Sequence, residues 1–551
     1  MEKGKQSITP RFFQKAALTL GLLICLSFLI GQSYFAKAEA PSSADVTVDF
    51  GSRQNTQNPI PTNFLGVGGN NIGLAYQSNG QNITQANFHL TRLISDMILS
   101  IFPTEASLTQ TGQQVWDKFD QQMTVVKDNN LQPIITLAYS PKWLQPQNQT
   151  PPQPNPCLTN RAKQDPSRVR PYYIVNGNDE GYQKWGAMAA QVVLHMHKTF
   201  PTVPALYEIW NEPDGNAFMC VPDSDPNPIQ TRLTEYKAII AAAGNQMRQA
   251  SVEDGQSISI GGPAMQYPLQ NVLSLWLPAL LNDAATNKYF DFFSYHRYLY
   301  GTSFSDLVKH AQDPELGVTA EYEQVAKAVH AGKQPNAANT PIYIDEYNMI
   351  SCTNKTCRND AKYAPLNNAL YIVDYLNSVI DPSSPYKSAA SVPTGLSYYA
   401  WNLPGQYICM FGQINSNMNC STSGTLKPYP QYYAYDLFGD ARYLDITNGA
   451  YMANSVIVNQ AGVYATAFYN NGHDNIVIVN TTGSAFSALQ VLAQHPGGSV
   501  HVNATQFTLQ VDKNPSNPIT SQTVTLTKVG SDYQGALNVP AYTTVALSIQ
   551  V

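Results

Sequence analysis

Two short segments hold residues whose types and spacing could do acid–base chemistry. They are Tyr207-Glu208-Ile209-Trp210-Asn211-Glu212-Pro213 and Ile342-Tyr343-Ile344-Asp345-Glu346-Tyr347-Asn348. Each is an apolar run that ends in a carboxylate and then a turn. That is the pattern of a buried parallel strand delivering a side chain to its C-terminal end. Two facing carboxyls can cleave a glycosidic bond if one is protonated and gives its proton to the leaving oxygen, while the other is ionised and attacks the anomeric carbon. Mutual repulsion raises one of the two pKa values, so two identical groups can take different roles. Glu212 and Glu346, at the ends of the two runs, are the candidate pair. Pro213 cannot extend a ladder and biases Glu212 away from helix. Asp345 competes with Glu346, because neighbouring strand residues face opposite ways and parity does not say which set looks inward.

The elements that must carry these groups follow from hydrophobic patterning. Apolar runs predict strands at Phe64–Gly68, Leu90–Ile94, Pro133–Ala138, Ala205–Trp210, Ser257–Gly261, Phe290–Tyr295, Pro341–Asp345 and Gly395–Ala400. Helical spacing falls between several of them, most clearly over Tyr182–Thr199, where Trp185, Met188, Ala189, Val192, Val193 and Met196 form one face. Trp116–Lys127 and Leu233–Gln249 read the same way. Strands alternating with helices imply a parallel sheet, and eight of them a closed (β/α)8 barrel, predicted here over residues 60–435. After about Asp440 the chain changes to short runs rich in Val, Thr and Tyr: Ser455–Val458, Tyr464–Tyr469, Asn475–Val479, Thr523–Thr527 and Thr543–Val551. These predict an antiparallel β-sandwich from residues 436–551. Asp45–Phe50 also alternates and is expected to join that domain, adding residues 41–59.

Lys3, Lys5, Arg11 and Lys15 precede an apolar stretch from Ala16 to Gly31, which small-residue sites at Ala36–Ala40 follow. This is the layout of a secretory signal peptide over residues 1–40, and the apolar part is short for a membrane span. The reading implies a secreted protein without a membrane anchor after cleavage. Residues 41–551 carry 27 basic and 36 acidic side chains, a balance of −9, which argues against nucleic acid as partner and fits a carbohydrate substrate. Six cysteines follow the signal: Cys157, Cys220, Cys352, Cys357, Cys409 and Cys420. An even number in an exported chain suggests disulfides. Proximity favours Cys352–Cys357 and Cys409–Cys420, leaving Cys157–Cys220. C-x-x-C spacing is lacking, and His195 and His197 do not share a helix face, so neither metal nor cofactor is expected.

Taken together, Trp210-Asn211-Glu212-Pro213 and Ile344-Asp345-Glu346-Tyr347-Asn348 resemble glycoside hydrolase clan A. The likeness is greatest to the β-xylosidase and α-L-iduronidase family, family 39. That family is similar in three further phrases: Ser259-Ile260-Gly261-Gly262-Pro263-Ala264, Asp291-Phe292-Phe293-Ser294-Tyr295-His296 and Ala138-Tyr139-Ser140-Pro141-Lys142-Trp143-Leu144. The resemblance implies Glu212 as acid/base and Glu346 as nucleophile, with Asn211 on the sugar 2-hydroxyl. It implies Arg92 orienting the nucleophile, His296 and Tyr298 touching nucleophile or sugar, and Trp401 as an aromatic floor. Trp143 is a sugar-stacking candidate on residue type alone. The family often has Thr or Ser before the nucleophile, where this chain has Asp345. The reaction expected is retaining hydrolysis of oligo- or polysaccharides. A transglycosidase would share the covalent intermediate, and a non-catalytic carbohydrate-binding barrel would keep the aromatics but need neither glutamate.

Overall fold

The computed structural model describes residues 44–51, 59–69, 80–93, 97–110, 112–266, 271–299, 303–349, 363–377, 392–400, 410–414, 420–421, 427–494, 503–510 and 518–551. The predicted signal peptide, Trp401, Cys352, Cys357 and Cys409 lie outside these residues.

Strand β1 (Val46–Asp49) precedes eight parallel strands that close into a barrel. These are β2 (Leu65–Gly69), β3 (Leu90–Leu93), β4 (Gln132–Leu137), β5 (Leu206–Ile209), β6 (Ser259–Met265), β7 (Phe292–Leu299), β8 (Ile342–Met349) and β9 (Gly395–Tyr399). Neighbours in sequence are neighbours in space all the way round, and β9 closes on β2. Outside the barrel run α1 (Asp117–Asp128), α2 (Gly181–Thr199), α3 (Pro228–Asp254), α4 (Asn271–Leu281), α5 (Val318–His330), α6 (Ala364–Asn377) and α7 (Tyr432–Gly439). Helix α2 buries Trp185, Met188, Ala189, Val192, Val193 and Met196, the face its spacing predicts. Among the described residues no helix is long and apolar enough to cross a membrane.

The barrel interior is layered. Leu90, Ile134, Leu206, Phe292 and Tyr343 form a small apolar cluster of their own. Two residues further along the same five strands come Arg92, Thr136, Glu208, Ser294 and Asp345, all buried and polar. Strand alternation puts these on the same inward faces as the apolar cluster below them. One layer of hydrocarbon therefore supports one layer of charge.

Among the described residues, ten further strands and β1 build the second domain. They run β10 (Tyr451–Met452), β11 (Ser455–Val458), β12 (Val463–Asn470), β13 (His473–Asn480), β14 (Phe486–Gln494), β15 (Asn503–Gln510), β16 (Ile519–Thr525), β17 (Thr527–Val529), β18 (Asp532–Val539) and β19 (Thr543–Gln550), with the two-residue β10 starting the series. One sheet has the order β11-β1-β14-β18-β17 and the other β10-β12-β13-β19-β15-β16. β1 pairs antiparallel with β11 and parallel with β14, so the N-terminal segment does join this domain. The central strands β13 and β19 of the six-stranded sheet are buried on both faces. On β13, Ile476 and Ile478 enter the sandwich core, while Val477 and Val479 join the large cluster of the barrel. Phe468 and Tyr464 also pack toward that larger cluster, so these aromatics hold the two domains together.

Candidate active site

Regular alternation along β8 would point Tyr343 and Asp345 inward and Glu346 outward. A register shift prevents that. Ile344 lies opposite Tyr295 of β7, and Glu346 opposite the very next residue, His296. Asp345 is the extra residue of a β-bulge, a device that re-aims a side chain. Two consecutive carboxylates thereby look into the barrel, which period-two reasoning does not allow.

Both meet Arg92 of β3, which is fully buried. Its Nη1 donates to Glu346 Oε1 at 2.5 Å, and its Nη2 to Asn211 Oδ1 at 2.9 Å. Glu208 Oε2 accepts from Nε at 2.8 Å and from Nη2 at 2.5 Å. Asp345 Oδ2 lies 2.6 Å from Nε. Thr136 and Ser294 donate to the two oxygens of Glu208, at 2.8 and 2.7 Å. Arginine suits such a place because its planar fork can serve several acceptors at once.

Glu212 follows β5 in a turn. Trp210 and Glu212 have φ of 71° and 47°, left-handed conformations that cost roughly 1–3 kcal/mol each for non-glycine residues. The turn is secured from both sides, with Trp210 N donating to Leu137 O at 2.8 Å and Glu212 N to Ala264 O at 3.0 Å. Pro213 steers Glu212 away from right-handed helix, and the chain takes the left-handed alternative.

His296 joins the two glutamates. Its Nδ1 is 2.6 Å from Glu212 Oε1 and 3.4 Å from Glu346 Oε2. Tyr298, next but one on the same face of β7, donates to Glu346 Oε2 at 2.5 Å. One ligand atom from each of Glu212, His296 and Glu346 lies within 4.8 Å of the others. Residue Glu212 is 5% exposed and Glu346 6%. Burial raises the Glu212 pKa; the His296 bond opposes the rise and the Glu346 charge adds to it. Burial alone would lower the His296 pKa, but the Glu346 and Asp345 charges outweigh it and hold the ring protonated well above its ordinary range. One carboxyl pushed toward its neutral form beside one held by an arginine and a phenol is the division of labour that double displacement requires.

Three such donors could also suggest a cation site. The chemistry of the group argues otherwise. Arg92 and Tyr298 already donate to both oxygens of Glu346, and His296 in its protonated form has no lone pair for a metal.

The structure thus brings together Glu212, Glu346, Asn211, Arg92, His296 and Tyr298. Asn211 uses its Nδ2 to reach Tyr139 Oη at 3.0 Å. Trp143 stands apart, half-buried in the loop after β4, donating Nε1 to Phe102 O at 3.0 Å and packing edge-on to Tyr173. Trp401 lies outside the described residues. His195 stacks on Trp116 and bonds Asp120, and His197 bonds Asp254. Sequence reasoning missed Glu208. The signal was there: a charged residue inside an apolar strand needs a buried partner.

The profile of Glycosyl hydrolases family 39 matches residues 164–430. Those residues are a glycosyl hydrolase family 39 domain. No curated protein matches the sequence. Several solved structures share the family 39 domain's fold at low identity. A family 39 enzyme from Xanthomonas axonopodis pv. citri is 15% identical, with a TM-score of 0.55 over 93% of this chain and 99% of that one. A family 39 β-xylosidase from Caulobacter crescentus is 14% identical, with a TM-score of 0.53 over 92% and 99%. A family 30 endoxylanase from Clostridium papyrosolvens C71 is 14% identical, with a TM-score of 0.55 over 92% and 100%. At these identities the likeness carries the fold, and the family 39 match carries the class of enzyme, a glycoside hydrolase of clan A.

Proposed function

We propose that this protein is a secreted, retaining glycosidase acting on oligo- or polysaccharides. The observation that supports it most is the approach of Glu212 and Glu346, which bring one carboxylate oxygen each within 4.8 Å of the other. Retaining enzymes hold their two carboxyls about 5–5.5 Å apart, and inverting enzymes leave room for a water between them. Glu346 attacks the anomeric carbon and forms a glycosyl-enzyme while Glu212 protonates the departing oxygen. Glu212 then takes a proton from water, which releases the sugar. Arg92 and Tyr298 hold the Glu346 carboxylate in line. The substrates we favour carry β-xylosyl, arabinosyl, galactosyl or glucuronyl units. The β-xylosidase and the endoxylanase among the structural relatives support the pentoses first. Export rests on the N-terminal sequence pattern.

The test is a panel of aryl α- and β-glycosides, then a slow fluorinated glycoside of the best sugar. Stoichiometric label on Glu346 is expected. Glu346→Gln should lose roughly 1,000-fold or more in kcat, the scale seen when a nucleophile is removed. Full kcat in both Glu212→Gln and Glu346→Gln would end this reading. Glycan binding without turnover across the panel would favour a binding barrel instead.

A further inference from the structure

Bulges flank β7 on both sides. The one on β8 turns Glu346 inward. On β6, Pro263 lies opposite Ser294 and Met265 opposite the very next residue, Tyr295, so Ala264 is the extra residue of a second bulge. A bulged residue is left out of the ladder. Ala264 is also fully buried, with a left-handed φ of 54°. Both of its backbone groups must then find partners elsewhere. Its carbonyl accepts from Glu212 N at 3.0 Å. Its N–H donates to Ser294 Oγ, also at 3.0 Å. The Ser294 hydroxyl gives its own proton to Glu208 Oε1, at 2.7 Å. Glu208 is anchored in turn by Arg92 and Thr136, which donate to its other oxygen. A hydroxyl can donate and accept at once, and both functions are in use here. One line of bonds thus runs from the buried charge layer to the backbone of the acid/base, through Glu208, Ser294, Ala264 and Glu212.

We propose that Ser294 is a positioning residue for the acid/base, tying the Glu212 turn through Ala264 to the anchored Glu208 carboxylate. The inference rests on Glu212 being the proton donor. Ser294 is completely buried and acts through the backbone of Ala264. Without its hydroxyl the Ala264 N–H loses its partner, and the left-handed bend that presents the carbonyl to Glu212 N loses its inner tie. Trp210 N stays on Leu137 O and Gln266 N on Asp214 Oδ1, so the turn relaxes rather than unfolds. The Glu212 carboxyl then moves off the glycosidic oxygen, while Arg92 and Tyr298 still hold Glu346.

The experiment reads leaving-group dependence, which separates a displaced acid from a loosened fold. kcat/KM is measured on two aryl glycosides of the best sugar. One releases 2,4-dinitrophenol, which departs unaided as its anion, and the other releases phenol, which needs a proton. Ser294→Ala should lose roughly 10–100-fold on the phenyl glycoside and less than about threefold on the dinitrophenyl one. Thr136→Ala is the control. It removes another donor to Glu208 and leaves the bond to Ala264 in place, so its loss should be the same on both substrates. Equal loss on both substrates in Ser294→Ala, or no loss, would overturn the proposal. So would the same selectivity in Thr136→Ala, because the effect would then run through Glu208 and Arg92. If Ser294→Ala does not fold, Ser294→Cys takes its place and is read the same way, since a thiol fills the space but bonds weakly. Failure of the glycosidase reading looks different. The native enzyme would then turn over no glycoside, which removes the proton donor and this proposal with it.

Discussion

Asp345 and Glu346 are adjacent in the chain, yet both face Arg92, Asp345 at 2.6 Å from Nε and Glu346 at 2.5 Å from Nη1. A bulge on β8 makes this possible. The consequence is a single cation holding three buried carboxyls, with Glu208 as the third.

Arg92 should therefore be critical in two separable ways. Lysine cannot span the same acceptors, so Arg92→Lys should lower kcat by roughly 100-fold with a smaller change in KM, as for a lost transition-state electrostatic contact. Arg92→Met removes the charge altogether and strands its partners. It should cost about 3–5 kcal/mol in urea unfolding, the scale for breaking a buried pair. Equal kinetics in Arg92→Lys and the native enzyme would show that the fork does not orient the nucleophile.

His296 sets the working range of Glu212. Its bond and positive charge favour the ionised form of that carboxyl and hold its pKa below what burial alone would give. Replacing it with uncharged His296→Gln should raise the Glu212 pKa. The acid must be protonated to donate, so activity would persist to higher pH, and the alkaline limb of kcat/KM should move up. A limb that moves down or stays put, measured on an aryl glycoside, would remove His296 from this role.

Much of this is legible in the amino-acid sequence. Each barrel strand is an apolar run closed by a turn, and burial on both faces is what writes such a run. The sequence pattern ends β7 at Tyr295, whereas the strand continues to Leu299. The run is broken at His296, Arg297 and Tyr298 because the strand enters the polar site there, so the chemistry masks the strand. The inward set on β8 was not legible, since a bulge is defined by pairing with β7 and has no local sequence mark. Arg92 could be picked out as a buried charge in need of a partner. Which carboxylates answer it depends on four strands at once.

Asp374 on α6 lies far along the chain from any of these groups and gives a test of the fold rather than the site. It is buried, and burial pushes its pKa up to about 8 despite two bonds from Gln312 Nε2, at 2.9 and 2.7 Å. The folded state therefore binds a proton that the unfolded chain gives up near pH 4. That contribution is complete at pH below about 4 and is lost as pH rises through about 8. Asp374→Asn should flatten the fall of Tm between pH 5 and 8.5 and stabilise the protein at the alkaline end by on the order of 3 kcal/mol. An unchanged slope would mean that Asp374 is ionised in the fold.

Cys157 and Cys220 form a disulfide between the loops that follow β4 and β5, as elimination among the cysteines had left them. The bond closes 63 residues of sequence separation, for which chain entropy gives about 4 kcal/mol. It also sits beside the mouth of the barrel, where Cys220 N donates to Arg168 O at 2.7 Å and Arg168 stacks over Phe218 and Tyr139. Tyr139 in turn accepts from Asn211, the neighbour of the acid/base. Breaking the bond should therefore lower Tm and also loosen this wall of the site. In Cys157→Ser/Cys220→Ser, KM for an oligosaccharide should rise more than kcat falls, because the proton-transfer groups on the strands stay in place. Loss confined to kcat would place the effect on the catalytic carboxyls instead.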